Sequence, residues 1–233
     1  SYINANTTIF EAVNFSGQRE INAHMPWSNS RIYWDAGYDG GYDRIDQAAL
    51  ENDYEGVWVH WAFVKNASTG VMKMVRNGVV WHEGMDKDNS FGNIAKMFLG
   101  SGNNDVYSYR GDVENFRVWS TALSQQKIQQ YMNCPPSGNE ENLIGYWDFE
   151  EGEGNTVFDL TSNNNNGIIN GATYSNDVPE QSCQLTAVNG CDSVAVLNLT
   201  ITQPDTSITE VTACESYEWN GETYTGSGTY TQS

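Results

Sequence analysis

The stretch VWVHWAFVKNASTGVMKMVRNGVVW, residues 57–81, decides the fold class. In its first part Trp58, His60, Ala62 and Val64 share one face of an extended chain, and Val57, Val59, Trp61 and Phe63 share the other. Both faces are largely apolar, as in a strand packed inside a sandwich. Asn77-Gly78 then supplies the strongest short hairpin signal, between two β-rich runs. The neighbouring sequence continues in the same way. TTIFEAV, EINAHM, RIYWDAG, KMFLGS and VENFRVW are rich in β-branched and aromatic residues, and Gly, Asn and Asp turns separate them. One helix is expected, in STALSQQKIQQYM, capped by Ser124 with Leu123 and Ile128 as a hydrophobic staple. NCPPSGN stops it. A second β-rich block follows, LIGYWDFEEGEGNTVFDLTSNNNNGIINGATYS.

Composition narrows the function classes. Of 233 residues, 39% are apolar and 12% aromatic, which is enough for a packed core. Thirty acids against eleven bases give a formal net charge of −19. Phosphate backbones need Lys/Arg clusters, and none occurs, so nucleic acid is not an expected partner. No apolar run approaches the roughly 18 residues of a membrane span. Acidic surfaces suit Ca²⁺, which takes carboxylate and amide oxygens, and they also simply solubilise a chain. Cys134, Cys183, Cys191 and Cys214 form no C-x-x-C pair, and the three histidines lie far apart, so zinc and redox sites are not expected. In a chain this rich in Asn, Thr, Gly and Tyr they point to disulfides and an oxidising compartment, with three connectivities open. The abrupt start at SYINAN and end at GTYTQS suggest a piece of something larger.

Three groups of residues invite a functional reading. The first is FLGSGNNDVYSYRGD, a polar turn between strands with Asn103, Asn104 and Asp105 in a row and two tyrosines behind. These are hard oxygen donors, and they are also ordinary turn formers. The second is MPWSNSRIYWDAGYDGGYDRID, which interleaves Trp27, Tyr33, Trp34, Tyr38 and Tyr42 with Asp35, Asp39, Asp43 and Arg44. Sugars stack on aromatic rings while a few placed polar groups take their hydroxyls. Trp34 reads as core. Tyr38 and Tyr42, with Asp39 in the Gly-rich loop GYDGGYD and with Trp27, are the expected ligand contacts. The third is Asp112 and Glu114, which would share one strand face and could form a carboxylate pair. Acids at a sheet edge are the plainer reading of them. His24 reads as a hydrogen-bonded sheet residue.

Residues 1–182 resemble the laminin-G-like, concanavalin A-like jelly-roll family, in its bacterial pentraxin-related branch. TTIFEA, HMPWSNSRIYWDAG, GVWVHWAFVKNASTGVMKMVRNGVVW, MFLGS, YRGDVENFRVWSTALSQQKIQQYM and LIGYWDFEEGEGNTVFDLTSNNNNGIINGATY carry the resemblance. It implies an antiparallel two-sheet jelly-roll sandwich. One departure concerns YWDFEEGEG…DLTSNNNNG, which commonly opens such a domain and here follows the helix. In pentraxin relatives the loop after the LG pair binds calcium, so the resemblance implies a Ca²⁺ site at Asn103, Asn104 and Asp105, with Glu20 as a further ligand. The Glu-x-Asp-x-x-Glu run of the family's glucanases is absent, so no enzyme is expected. Residues 183–233 resemble tandem repeats of secreted Bacteroidota surface adhesins, through GCDSVAVLNLTI and TACESYEWNGETYT. That divides the chain at 1–182, 183–204 and 205–233, the last a truncated further repeat. It also implies an extracellular, cell-surface protein exported by the type IX route. The expected function is a carbohydrate- or surface-polymer-binding module of an adhesin, Ca²⁺-dependent. A ligand-free structural spacer and a glycoside hydrolase or lyase of related fold are the alternatives. A Cys134–Cys183 disulfide would clamp the helix end to the end of the jelly-roll's last segment. It would close a loop of about 50 residues, worth roughly 4 kcal/mol in the chain-entropy model. Cys191 is left to Cys214 or Cys183, and Cys214 to Cys191 or a partner beyond Ser233.

Overall fold

A computed structural model describes residues 6–104 and 107–179, and the shorter pieces 185–186, 192–193, 216–219, 221–226 and 228. The chain falls into two units, 1–194 and 195–233.

The first unit is an antiparallel β-sandwich with one short helix. Twelve of its strands lie within residues 6–179. They are β1 (Thr8–Asn14), β2 (Arg19–Trp27), β3 (Arg31–Tyr38), β4 (Tyr42–Ala48), β5 (Trp61–Asn66), β6 (Val71–Arg76), β7 (Val79–Gly84), β8 (Ile94–Leu99), β9 (Phe116–Trp119), β10 (Leu143–Trp147), β11 (Thr156–Val157) and β12 (Gly167–Ile168). Helix α1 (Gln125–Asn133) lies between β9 and β10. One sheet runs β4-β3-β2-β1-β8, and another runs β5-β6-β7. A short pair, Leu185–Thr186 with Asp192–Ser193, closes the described part of this unit, and Tyr217–Trp219 pairs with Glu222–Tyr224 in the second.

Alternation along the strands creates the core. In β3, Ile32, Trp34 and Ala36 point inward, and each is less than a twentieth exposed. In β2, Ala23 and Met25 do the same, and in β1 Phe10 and Ala12. The register Phe10↔Ala23, Ala23↔Trp34 and Trp34↔Ile45 aligns them in one row across the sheet. Met72 and Met74 of β6 meet that row from the opposite sheet, and Trp61, Phe63 and Phe116 pack against it. Phe10 is the hub, 5.4 Å from Phe63, 5.7 Å from Phe116 and 6.0 Å from Trp34 between ring centroids. Trp34 is core, as its place in RIYWDAG suggests.

The hairpin and helix signals hold. Asn77 and Gly78 both have positive φ, 47° and 74°, and join β6 to β7 in register Arg76↔Val79. Ser124 accepts a hydrogen bond from the Lys127 N–H at 3.3 Å and caps α1. Ile128 is the buried residue of the helix. At its other end Cys134 caps the helix and is disulfide-bonded. Cys183, its expected partner, lies outside the described residues, as do Cys191 and Cys214.

Two expectations about strands change. VWVH is not the start of a strand: β5 begins at Trp61, and Val57 is 55% exposed. The stretch read as the loop GYDGGYD is a tight hairpin, in which only 39–41 lie between β3 and β4. Asp43 there turns towards the core side, where Lys65 Nζ donates to its Oδ2 at 2.6 Å. The Asn89 N–H donates to the same oxygen at 2.9 Å, so the loop before β8 is tied across the hairpin.

The late segment also finds a place. β10 pairs with β9 in register Tyr146↔Arg117 and Trp147↔Phe116. DLTSNNNNG is a loop built on Asp159, which is 6% exposed. Its Oδ1 accepts from the N–H groups of Tyr146 and Thr161, and its Oδ2 from that of Asn165. Those bonds hold its carboxyl below the usual carboxylate range against the opposing effect of burial. Asp159→Ala leaves three backbone donors without this acceptor. Chemical denaturation should show a loss of about 3 kcal/mol, with Asp159→Asn intermediate; an unchanged midpoint for Asp159→Ala would show that the loop does not depend on it.

Candidate functional site

The site lies on the face of the five-stranded sheet that points away from the core. Alternation that turns Phe10, Ala23, Trp34 and Ile45 inward turns Glu11, Asn22, Asp35 and Arg44 outward. Register aligns these four as well: Glu11↔Asn22, Asn22↔Asp35 and Asp35↔Arg44. A second row, Thr8↔His24, His24↔Tyr33 and Tyr33↔Asp46, runs beside it.

Although this face is the outer one, its inner layer is buried. Asn22 and Asp35 are fully buried, His24 is 4% exposed and Glu11 is 7% exposed. Arginines lie over the carboxylates. Arg44 Nε and Nη2 donate to Asp35 Oδ1 and Oδ2 at 2.6 and 2.7 Å, a two-point fork. Arg19 Nε donates to Glu11 Oε2 at 3.0 Å, and its Nη1 lies 3.6 Å from Asp35 Oδ2. Arg31 pairs with Asp46. Asn22 Nδ2 donates to Glu11 Oε2 at 3.0 Å, while Asn22 Oδ1 has no hydrogen-bond partner among the described residues. Burial pushes the Asp35 carboxyl up, and the Arg44 hydrogen bonds pull it back. The same bonds hold the Arg44 guanidinium protonated above its ordinary value.

Aromatic rings and guanidinium planes make the outer layer. Tyr107 stands 5.0 Å from Trp27, Trp27 stands 4.3 Å from His24, and His24 stands 6.2 Å from Tyr33. The Arg44 guanidinium lies 4.8 Å from the Tyr33 ring and 5.0 Å from the Tyr42 ring. Arg19 reaches Tyr42 at 5.8 Å. The result is a continuous ladder across the sheet, from Tyr107 through Trp27, Tyr33, Arg44 and Tyr42 to Arg19. His24 is its buried joint. The His24 Nδ1 lies 3.1 Å from Thr8 Oγ1 and 3.2 Å from the Thr7 carbonyl. It is a hydrogen-bonded sheet residue, as expected.

Of the residues expected to contact ligand, Trp27 and Tyr42 are in this ladder. Tyr42 is 39% exposed. Tyr38 and Tyr42 are paired strand residues flanking the hairpin, not loop residues. Tyr38 stands apart from the ladder, its hydroxyl accepting from Gln18 Nε2 at 3.5 Å. Asp39 is exposed at the tip of the turn. Tyr33 and Arg44 lie within the aromatic stretch singled out in the sequence, with no role assigned to them there, and Arg19 lies outside it. Their alternation with Ile32, Trp34 and Ile45 was the available signal.

Of the residues expected to bind calcium, Glu20 is engaged elsewhere, while Asn103 and Asn104 stand together on the turn. Asp105 lies outside the described residues. Asn104 is exposed, and the Asn103 N–H donates to Glu11 Oε1 at 3.0 Å. Glu20 is 2% exposed and serves another loop: its Oε1 accepts from Asn14 Nδ2 and its Oε2 from the Gly92 N–H. The register shift between Ala12 and Val13 explains this. It re-aims Glu20 and leaves Glu11 as the carboxylate under the 101–104 turn. Among the described residues no group of three or more His, Cys, Asp or Glu is placed to hold a metal ion.

Asp112 and Glu114 are not on a strand, since β9 begins at Phe116. Glu114 instead lines a cavity of about 330 Å³ with Asn115, Tyr146, Asp148 and Glu150. Burial, and then Glu150 and Asp148, push its carboxyl up. A second cavity, of about 220 Å³, lies between the β5-β6-β7 sheet and the start of α1, lined by Val64, Val75, Leu123 and Ile128 among others.

Residues 2–129, more than half of the chain, match the concanavalin A-like lectin/glucanases superfamily. The chain belongs to that family. Among solved structures it is similar to a Bacteroides ovatus protein proposed to bind carbohydrate, with 19% identity and a TM-score of 0.59 over 78% of this chain. The match takes in 52% of that protein, so this chain spans about half its length. A heptameric pentraxin of Limulus polyphemus matches at 17% identity and a TM-score of 0.47, over 64% of this chain and 71% of its own. No curated protein sequence matches significantly. These likenesses concern the fold.

Burial lowers the His24 pKa to about 4, with Arg19 acting in the same direction. At pH 7 the ring is neutral folded and unfolded. Below about pH 6.5 the unfolded chain takes up a proton that the folded chain does not accept until about pH 4. Stability contributed above pH 6.5 is therefore lost as pH falls through this window, by up to about 1.4 kcal/mol per pH unit. Between pH 7 and 4 wild type should lose stability relative to His24→Gln as pH falls, read from denaturation midpoints. Parallel curves would show that His24 is not held neutral.

Proposed function

We propose that this chain is a non-catalytic carbohydrate-binding module that receives its ligand on the ladder. The carrying observation is the ladder itself: half-exposed aromatic rings alternate with guanidinium groups fixed from below. Ring carbons offer apolar contact to sugar C–H surfaces, while guanidinium N–H groups and tyrosine hydroxyls offer hydrogen bonds to sugar oxygens. Family membership and the B. ovatus protein's proposed role support the same class.

Carboxylate chemistry favours binding over hydrolysis. A glycosidase needs two carboxyl groups free to exchange protons or attack, about 5–9.5 Å apart. On this face Glu11 and Asp35 are both buried, and Arg19 and Arg44 occupy their oxygens. Each is a structural anion. For the wider setting we propose, from the resemblance of residues 183–233, an extracellular, cell-surface adhesin exported by the type IX route. Those residues lie mostly outside the described part of the chain.

Calcium is a separate proposal, attached to Asn103, Asn104 and Asp105 alone. The ladder does not depend on it, and no step of recognition is assigned to the ion.

A glycan array probed with wild type, Trp27→Ala and Tyr42→Ala tests the function. Wild type should bind at least one glycan. Each variant should weaken that binding about tenfold or more, the loss expected for a central aromatic contact, while still unfolding in a single cooperative transition. Absence of any bound glycan, or equal binding by both variants, would contradict the reading and favour a spacer. A melting curve at millimolar Ca²⁺ tests the ion: a rise that Asn104→Ala removes supports the turn as its site, and a flat response rejects it.

A further inference from the structure

We infer that the ligand is an uncharged polysaccharide bound lengthwise, not an anionic glycan and not a terminal sugar held in a pocket. This rests on the carbohydrate reading above and makes it more specific.

Charge gives the first argument. The chain carries −19, and its ladder face concentrates three of its arginines. A basic patch on an acidic protein would ordinarily suggest an anionic ligand. Here every one of these guanidinium groups already faces a carboxylate: Arg19 faces Glu11, Arg31 faces Asp46 and Arg44 faces Asp35. The carboxylates are the more buried partners of Arg19 and Arg44, with side chains 9% and 0% exposed against 30% and 37%. The face thus presents N–H donors on a layer that is neutral overall. A uronate or sulfate would meet no uncompensated cation, and the acidic remainder of the chain would repel it at low salt. A hydroxyl-bearing neutral sugar needs only the donors and the rings.

Shape gives the second argument. Tyr107, Trp27, Tyr33, Arg44 and Tyr42 follow one another across the sheet, with centroids about 4 to 6 Å apart, neighbouring rings steeply tilted, and buried His24 joining Trp27 to Tyr33. They come from β2, β3, β4 and the segment at 107, so the ladder crosses the strands. Neither of the two cavities described above lies on it. A row of rings and guanidinium groups drawn from three strands and the 107 segment offers contacts to several successive sugar residues. A single terminal residue would leave most of it uncovered.

Affinity electrophoresis provides the test. Native gels would contain a neutral polymer (xyloglucan, galactomannan, laminarin or starch) or an anionic one (alginate, polygalacturonate or chondroitin sulfate). We expect retardation by at least one neutral polymer, by none of the anionic ones, and little change between about 0.05 and 0.5 M salt. Oligosaccharides from the retarding polymer should then bind more tightly with length, the hexasaccharide about tenfold or more over the disaccharide. Tyr42→Ala should abolish retardation while still unfolding in a single cooperative transition. Retardation by anionic polymers that fades with salt would overturn the inference and leave carbohydrate binding standing. So would equal affinity for monosaccharide and hexasaccharide. Retardation by no polymer of either kind would overturn both.

Discussion

The fork between Asp35 and Arg44 is the interaction on which the outer face depends. A carboxylate with no solvent exposure sits at the centre of a sheet whose other side is the hydrophobic core. Such a charge is costly to bury without a partner, and removing its partner typically costs several kcal/mol. Arg44 supplies two aligned hydrogen bonds, and Arg19 stands close behind. In return Asp35 fixes the guanidinium plane between Tyr33 and Tyr42. The placing of Tyr33 and Tyr42 in the ladder follows from that anchored plane.

This makes the five-stranded sheet two-sided in an unusual sense. Its inner face is sealed by Phe10, Trp34 and Met72, and its outer face by a polar layer that is itself buried. The period of two allots each strand residue to one face or the other. Cross-strand register then decides which charges meet. Glu11, Asn22, Asp35 and Arg44 come from four strands and form one row only because the sheet is in this register. A shift of one residue would exchange the core with the ionic row. The hydrophobic face therefore fixes the polar one, and fold and candidate site are specified together.

Much of the architecture was legible in the sequence. RIYWDAG displays its alternation openly, Asn77-Gly78 specifies its hairpin, and Ser124 its helix cap. β4 was not legible, for a physical reason. In YDRIDQA only Ile45 is a large apolar residue on the core side, because Asp43 occupies a core-side position and is satisfied by Lys65. That pair spoils the alternation by which a strand is recognised. VWVH erred in the opposite direction: it has strand composition, yet Val57 and Trp58 remain outside the sheet. At the site, Trp27 and Tyr42 could be picked out because sugar-binding rings are aromatic and cluster in sequence. Arg19 and Tyr107 could not, since only pairing of β1 with β2, and contact of segment 107 with the start of β1, brings them near. Glu20 is the acid that the family resemblance implies, and the acid under the 101–104 turn is Glu11, because a bulge cannot be counted from spacing. The differences at the site concern pairing and register, which sequence periodicity leaves open.

The central claim is that ligand lies on the ladder, over Trp27. The most direct measurement is a heteronuclear NMR titration that follows the indole N–H signals of the eight tryptophans, assigned by substitution, against a neutral hexasaccharide. The account predicts that the Trp27 signal shifts and saturates. The Trp34 signal, whose N–H is held by the Val64 carbonyl in the core, should stay in place. A saturating shift confined to Trp58 or Trp147, with Trp27 unmoved, would place the ligand elsewhere and contradict the account.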